Sequence, residues 1–170
     1  QNTLVRGKRL FIIYLQMISV AMATYNGSKY LKEQLDSIMG QTYRDFEIII
    51  SDDCSTDSTW EILKDYASTD KRVKIFRNEK NLGFLCNFVN AINHTTGEYI
   101  ALSDQDDIWN PDHLELLLKH IGDKMIACGD SLLVDADNNS TNMTLSYQES
   151  LDYVSDNDLE RAYTVFYFRI

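Results

Sequence analysis

Three aspartates within four positions, Asp104, Asp106 and Asp107, form the most chemically suggestive cluster in the chain. They follow the apolar run Tyr99–Leu102, and no lysine or arginine lies close to them in sequence. Carboxylates this close repel one another unless they are solvated, protonated or neutralised by a cation. Mg²⁺ and Mn²⁺ prefer oxygen ligands and are commonly held by one or two carboxylates together with substrate phosphates. The spacing therefore indicates a divalent-metal site, against the simpler interpretation of an acidic loop that caps the next helix.

Two further polar clusters also follow apolar runs. Thr24, Tyr25 and Asn26 offer a hydroxyl, an aromatic ring and an amide where the first run ends, although the same residues would suit an ordinary turn. Asp52 and Asp53 follow the second run. Asp52 could satisfy free amides at a helix start or accept a hydrogen bond from a ring N–H of a pyrimidine base, and the residues alone support both interpretations equally.

The elements that must position these clusters are four apolar runs of strand composition, separated by segments of helical periodicity. The predicted strands are Ile18–Thr24, Phe46–Ile50, Val73–Phe76 and Tyr99–Leu102. This alternation predicts right-handed crossovers, and therefore an α/β fold with a Rossmann-like, mostly parallel sheet flanked by helices. Ligands bind beyond the carboxyl ends of such strands. The topology alone would bring the three polar clusters together.

The helix starts and the C-terminal part are less sharply marked. Ser28 is expected to cap the first helix, and Asn110-Pro111 to begin the helix after the acidic cluster. Met125–Cys128 and Ser131–Val134 are candidates for further strands, whereas the pattern degrades beyond Asn138.

A formal charge of −10 over 170 residues argues against nucleic acid as a partner, because an acidic surface repels the phosphate backbone. A phosphorylated small ligand would likewise need a bound cation or local amide donors. No GxGxxG or GxxxxGK[ST] motif is present. Cys54, Cys86 and Cys128 lack metal-site spacing and are expected to be buried free thiols. No histidine is assigned to catalysis, and His113 is the nearest in sequence to the acidic cluster.

Five ordered motifs resemble family 2 glycosyltransferases of the GT-A fold. They comprise residues 18–27, 41–43, 51–57, 78–83 and 97–109. The string Ser-Asp-Gln-Asp-Asp-Ile-Trp at 103–109 is most similar to the bacterial rhamnosyltransferase-like branch, which builds surface polysaccharides. The resemblance implies three parts, namely an N-terminal extension (1–16), a GT-A nucleotide-sugar-binding domain (17–140) and a short or divergent C-terminal segment (141–170).

The resemblance also implies which part of the substrate or which metal ion each site residue would contact. The nucleotide would be bound by Thr24, Tyr25, Asn26, Asp52, Asn81, Gly83 and Asp104. Asp106, together with Asp104, would hold Mn²⁺ or Mg²⁺, and Asp107 would face the sugar. Family members supply the catalytic base from a later acidic segment, and no base is assigned here. The candidates by residue type are Glu149, Asp152, Asp156 and Asp158.

The implied reaction is inverting transfer of a hexose or deoxyhexose from a UDP- or dTDP-sugar to an acceptor hydroxyl of a saccharide or lipid-linked saccharide. The expected location is the cytoplasm, with peripheral attachment to the inner face of the cell membrane. One alternative is a nucleotide-sugar-binding fragment with impaired catalysis. The other is a sugar nucleotidyltransferase, although the Gly- and Arg-rich loop of that class is missing, since residues 24–32 contain no arginine.

Overall fold

The computed structural model describes residues 16–122, 124–134 and 140–144, together with the backbone of 167–169. The strands are β1 (Ile18–Thr24), β2 (Phe46–Asp52), β3 (Val73–Arg77), β4 (Tyr99–Ser103), β5 (Leu132–Val134), β6 (Ser140–Thr144) and β7 (Tyr167–Arg169). The helices are α1 (Leu31–Met39), α2 (Thr59–Thr69), α3 (Phe84–Ile92) and α4 (His113–Ile121).

The main sheet has five strands in the order β3-β2-β1-β4-β7. The first four are parallel, and β7 pairs with β4 in the antiparallel direction. Thr24 lies opposite Asp52, and Met22 lies opposite Ser103, so the central strands end at nearly the same level. The loops after β1, β2 and β4 therefore leave the sheet at one edge, as the predicted topology requires.

Both faces of the sheet are covered, which explains why its central strands are almost continuously apolar. Every residue of β1 and β2 is buried. The larger core packs one face against α1, α2 and α4 and includes Met22, Leu35 and Leu117. The smaller core lies on the other face, where Ala91 of α3 packs against the sheet. The loops at the strand ends are therefore anchored to strands that are packed on both faces.

Two helix starts differ from the sequence-based predictions. Ser28 does not cap α1: its backbone N–H donates to Asp57, and α1 begins at Leu31 after Tyr30. Helix α4 begins at His113 rather than at Asn110-Pro111. The carbonyls of those two residues accept hydrogen bonds from the Gln41 side chain and the Thr42 N–H, which keep this segment in a turn against the α1–β2 loop.

The C-terminal part departs further from expectation. Met125–Cys128 forms no strand, whereas Leu132–Val134 pairs with β6 in a separate two-stranded sheet. The three cysteines are free as expected, but none is fully buried: Cys54 and Cys128 are partly buried, and Cys86 is exposed on α3. Within the part of the chain that the structure describes, no helix has the length and apolar character needed to cross a membrane.

Candidate functional site

A cavity of about 390 Å³ opens at the carboxyl edge of the sheet, between the loops after β1, β2 and β4 and the start of α3. It is lined by Ala23, Thr24, Tyr25, Asp53, Asn81, Gly83, Phe84, Asn87, Asp104, Gln105 and Asp106. Six residues predicted from the sequence are thereby brought together, namely Thr24, Tyr25, Asn81, Gly83, Asp104 and Asp106. The other predicted residues, Asn26, Asp52 and Asp107, do not line it.

The acidic wall of the cavity comes from the loop after β4. The carboxylates of Asp104, Asp106 and Asp107 make no hydrogen bond or ion pair with any described residue. Loss of surrounding solvent, followed by repulsion from Asp104 and Asp106, raises the pKa of Asp107 to about 6. Burial and repulsion from Asp106 raise the pKa of Asp104, although Asp104 remains exposed and solvent screens the effect. The loop therefore concentrates negative charge without compensation from the protein.

This donor set fits a hard divalent cation. Its oxygens are carboxylate oxygens, two of the side chains line the cavity, and the repulsion among them would be relieved by a positive ion. Among the described residues, no three His, Cys, Asp or Glu side chains converge closely enough to form a complete metal site. An ion held by Asp104 and Asp106 would therefore complete its coordination with water or with oxygens of a bound ligand, as Mg²⁺ commonly does.

The opposite wall contains Asp53, which the sequence analysis did not select. Only 2% of Asp53 is exposed. Its Oδ1 accepts hydrogen bonds from Asn78 Nδ2 and the Leu82 N–H, both at 2.7 Å, and its Oδ2 accepts one from the Gly83 N–H at 2.8 Å. The carboxylate thus fixes the loop that leads into α3, where Gly83 adopts a φ of 80° that suits glycine.

A network of asparagines, of which Asn87 itself lines the cavity, supports this wall and was also not predicted. Asn87 Nδ2 donates to the carbonyls of Thr24 and Ser51, which ties α3 to the ends of β1 and β2. Asn78 Nδ2 donates to Asn87 Oδ1 at 3.0 Å and Asn90 Nδ2 donates to Asn78 Oδ1 at 2.7 Å. Asparagines in loops and helices are common, and no local pattern in the sequence distinguishes these from others.

Asp52 lies behind the cavity rather than in its wall. It is fully buried, and its carboxylate accepts hydrogen bonds from the Ser55 N–H and hydroxyl and from the Thr24 hydroxyl. It also pairs with Arg77 at 3.3 Å. Neighbouring strand residues point to opposite sides, which explains how Asp53 reaches the cavity while Asp52 does not.

Asn26 fastens two loops together. Its backbone N–H donates to the Ser55 hydroxyl, and its Oδ1 accepts from the Thr56 N–H at 2.8 Å. The neighbouring N–H of Ser28 donates to Asp57. Burial opposes ionisation of Asp57, but hydrogen bonds from Thr59 and Ser28 outweigh it and lower the pKa of Asp57 to about 2. The loops after β1 and β2 therefore form one connected unit beside the cavity.

His113 belongs to the core and not to the site. It has no exposed surface, and its ring centroid lies 4.6 Å from that of Trp109. Neither ring nitrogen of His113 has a hydrogen-bond partner within the described residues. Its proximity to the acidic cluster in sequence reflects the turn that separates β4 from α4.

The order of the strands and the open cavity at their carboxyl ends define a Rossmann-like α/β fold and agree with the GT-A type that the sequence resemblance implied. The model of the family "Glycosyl transferase family 2" matches residues 19–168. The chain therefore belongs to glycosyltransferase family 2.

Sequence similarity to individual glycosyltransferases supports this assignment. An uncharacterized glycosyltransferase of Methanocaldococcus jannaschii is 44% identical over 107 residues, which is 62% of this chain and 37% of that protein. TuaG of Bacillus subtilis, a putative teichuronic acid biosynthesis glycosyltransferase, is 34% identical over 111 residues, 65% of this chain and 44% of TuaG. The chain thus spans less than half the length of each of these two curated relatives.

Solved structures agree on the fold. TarS of S. aureus in complex with UDP-GlcNAc superposes with a TM-score of 0.64 and 27% identity, covering 72% of this chain and 36% of that chain. The mannosyltransferase PcManGT of Pyrobaculum calidifontis, in complex with GDP-Man and Mn²⁺, superposes with a TM-score of 0.66 over 91% of this chain and 44% of that chain. At 21% identity, this second likeness concerns the fold alone.

Proposed function

We propose that this chain forms the nucleotide-sugar-binding part of an inverting, metal-dependent glycosyltransferase. It would transfer a hexose or deoxyhexose from a UDP- or dTDP-sugar to an acceptor hydroxyl in surface polysaccharide synthesis. One observation carries the proposal: the cavity has two carboxylates without protein partners on one wall and, on the other, the Asp53 carboxylate, whose Oδ2 accepts a single N–H and keeps an acceptor position free.

The acidic wall would bind the diphosphate side of the donor. Asp104 and Asp106 would hold Mn²⁺ or Mg²⁺, which supplies charge neutralisation and Lewis-acid assistance to the departing diphosphate. Without a cation these carboxylates would repel a diphosphate, since the whole chain already carries a formal charge of −10. The two side chains therefore bind the donor only indirectly.

The opposite wall would bind the nucleoside. Asp53 Oδ2 accepts one N–H, from Gly83, and a carboxylate oxygen can accept about two. Asp53 can therefore accept a further hydrogen bond from a ring N–H of a base in the cavity. We assign the base contact to Asp53 because the oxygens of Asp52 face Ser55, Thr24 and Arg77. The exposed ring of Tyr25 provides an aromatic surface at the cavity rim.

Asp107 would face the sugar. It lies beside Asp104 and Asp106 but outside the cavity lining. With a pKa of about 6 it is mainly ionised at neutral pH, so it would add charge next to the metal carboxylates there and lose that charge in mild acid. The candidates for the catalytic base, Glu149, Asp152, Asp156 and Asp158, lie outside the described residues.

The finer assignments extend the same proposal. Motif similarity supports the rhamnosyltransferase-like branch. The UDP-GlcNAc complex of TarS supports a UDP-sugar as the donor, and the naming of TuaG for teichuronic acid biosynthesis supports a polysaccharide product. A saccharide or lipid-linked saccharide acceptor, a cytoplasmic location and peripheral attachment to the membrane would follow from such a reaction.

The test is calorimetric titration of the chain with UDP, dTDP and GDP, with and without Mn²⁺. We expect binding that strengthens in Mn²⁺, and Asp106→Ala should abolish the metal-dependent part. Asp112→Ala is the matched control, because it removes the same charge from an exposed residue outside the cavity. Unchanged affinity of Asp106→Ala in Mn²⁺ would contradict the site. Hydrolysis of a UDP- or dTDP-sugar would then separate an active transferase from a binding fragment.

A further inference from the structure

We propose that Gln105 is a positioning residue that holds Tyr25 at the rim of the cavity. The inference rests on the proposed nucleotide-binding function. Gln105 Oε1 accepts a hydrogen bond from the Tyr25 N–H at 2.9 Å, and Gln105 Nε2 donates to the Tyr25 carbonyl at 3.1 Å. One side-chain amide thus pairs with both backbone polar groups of a single residue 80 positions away.

These two bonds lie where strand pairing has ended. The last paired residues of β1 and β4 are Met22 and Ser103. Beyond that pair, the chain of β1 continues to Tyr25 without a β4 partner on its backbone. The Gln105 side-chain amide offers an N–H donor and a C=O acceptor, as a peptide group does. It therefore makes with Tyr25 the two hydrogen bonds that a further paired residue of β4 would make. Both backbone polar groups of Tyr25 are thereby paired although 49% of the residue is exposed.

Gly27 supplies an independent sign of close fit. A Cβ at Gly27 would lie 2.1 Å from Gln105 Oε1 and 2.4 Å from Cδ. Non-bonded atoms do not come this close, so any side chain at this position would push the Gln105 amide away from Tyr25. The φ of Gly27 lies outside the left-handed region, so the requirement for glycine here is one of space.

The position of Gln105 gives these contacts a functional meaning. Gln105 lies between Asp104 and Asp106, and all three line the cavity. The loop that carries the proposed metal ligands is therefore the loop that fixes Tyr25 on the nucleoside side. The contact between Gln105 and Tyr25 would thus fix the distance between the metal-binding loop and the nucleoside side of the cavity. Holding Tyr25 in place before the nucleotide binds would lower the entropic cost of association.

The experiment is a double-mutant cycle on the full chain, with UDP and Mn²⁺ as the probe in calorimetry. Gln105→Ala should weaken UDP binding by roughly tenfold, the effect expected for one or two neutral hydrogen bonds. If Gln105 acts through the ring of Tyr25, adding Gln105→Ala to Tyr25→Ala should weaken binding by no more than about twofold. A general structural defect would instead reduce affinity by the same factor in both backgrounds.

A second variant reaches the same contact from the other side. Gly27→Ala should displace the Gln105 amide and weaken UDP binding about as much as Gln105→Ala does. In the Gln105→Ala background Gly27→Ala should have little further effect, because the obstructing side chain is gone. Urea unfolding of each variant checks that the fold is retained.

The outcomes separate the two proposals. Failure of the wild-type chain to bind UDP, dTDP or GDP with Mn²⁺ would overturn the proposed function and the assignment of Gln105 with it. Wild-type binding combined with additive effects of Gln105→Ala and Tyr25→Ala, or with unchanged affinity of Gln105→Ala, would overturn the assignment of Gln105 alone.

Discussion

Replacing His113 by leucine should make the fold less sensitive to mild acid. The His113 side chain is completely buried, and its ring nitrogens lack hydrogen-bond partners among the described residues. Burial without a partner penalises the charged imidazolium and lowers the pKa of His113 to about 4. In the unfolded chain the same ring would have its ordinary pKa of about 6.5.

The sign of the effect follows from this difference in pKa. As the pH falls below about 6.5, the unfolded state binds a proton that the folded state does not, so the free energy of unfolding decreases. The decrease levels off below about pH 4, where both states are protonated, and amounts to roughly 3 kcal/mol at most. That is a large share of the about 5–15 kcal/mol by which domains are stable. Near neutral pH, His113→Leu should be neutral or stabilising, because it removes unpartnered polar atoms from the core.

Urea unfolding near pH 7 and near pH 4.5 measures this contribution. Between these two conditions the wild-type chain should lose about 2–3 kcal/mol more than His113→Leu. His120→Leu is the control, because His120 lies on the same helix but is only partly buried, and its Nδ1 lies 2.7 Å from the Leu116 carbonyl oxygen. Carboxylates that titrate in this range affect all three proteins equally. Equal losses in all three would refute the assignment, since His113 would then take up its proton as readily in the folded state.

Two further predictions concern the opposite edge of the sheet. Gly97→Ala should destabilise the fold by about 1–3 kcal/mol in urea unfolding, because its Cβ would lie 2.8 Å from the backbone nitrogen of Ser19. In Gly40→Ala the nearest atom is a helix carbonyl oxygen at 3.2 Å, so that variant should cost less, and equal losses would contradict the steric argument. Lys74→Met should cost about 1–3 kcal/mol near neutral pH, because it removes the 2.7 Å pairing to the buried Glu47 carboxylate. Burial would raise the pKa of Glu47, but hydrogen bonds from Lys74 and Ser19 prevail and lower it. The stability lost in Lys74→Met should therefore shrink in acid, where Glu47 is protonated and the pairing is absent in both proteins. A loss of stability that does not depend on pH would contradict the pairing.

The sheet could be predicted from the sequence because its strands are buried on both sides. In the two fully buried strands the apolar runs Ile18–Ala23 and Phe46–Ile50 are interrupted only at Ser19 and Glu47, and β1 occupies the predicted span Ile18–Thr24. β6 could not be found in this way, because Ser140–Thr144 is polar and exposed and forms part of a small separate hairpin. Its pairing depends on β5 and not on a pattern of its own.

The acidic wall of the cavity was also predictable, whereas the other wall was not. Asp104 and Asp106 stand out because several carboxylates follow a strand without basic neighbours. Asp52 and Asp53 are adjacent and chemically identical, so only the direction of each side chain at the end of β2 distinguishes them. Gln105 looks like a spacer in the sequence, since its hydrogen-bond partner lies 80 residues away.

The five aspartates at this edge of the sheet fall into two groups, which differ in whether the protein supplies hydrogen-bond donors to their carboxylates. Asp52 and Asp53 each receive several hydrogen bonds, and Asp52 also faces Arg77. Their negative charge is therefore compensated by the protein itself. Asp104, Asp106 and Asp107 receive no such donor from the described residues, and burial together with repulsion from neighbouring carboxylates raises the pKa of Asp104 and Asp107. A cation entering the cavity would gain most beside the second group, so under our proposal the diphosphate lies against the β4 loop and the nucleoside against Asp53.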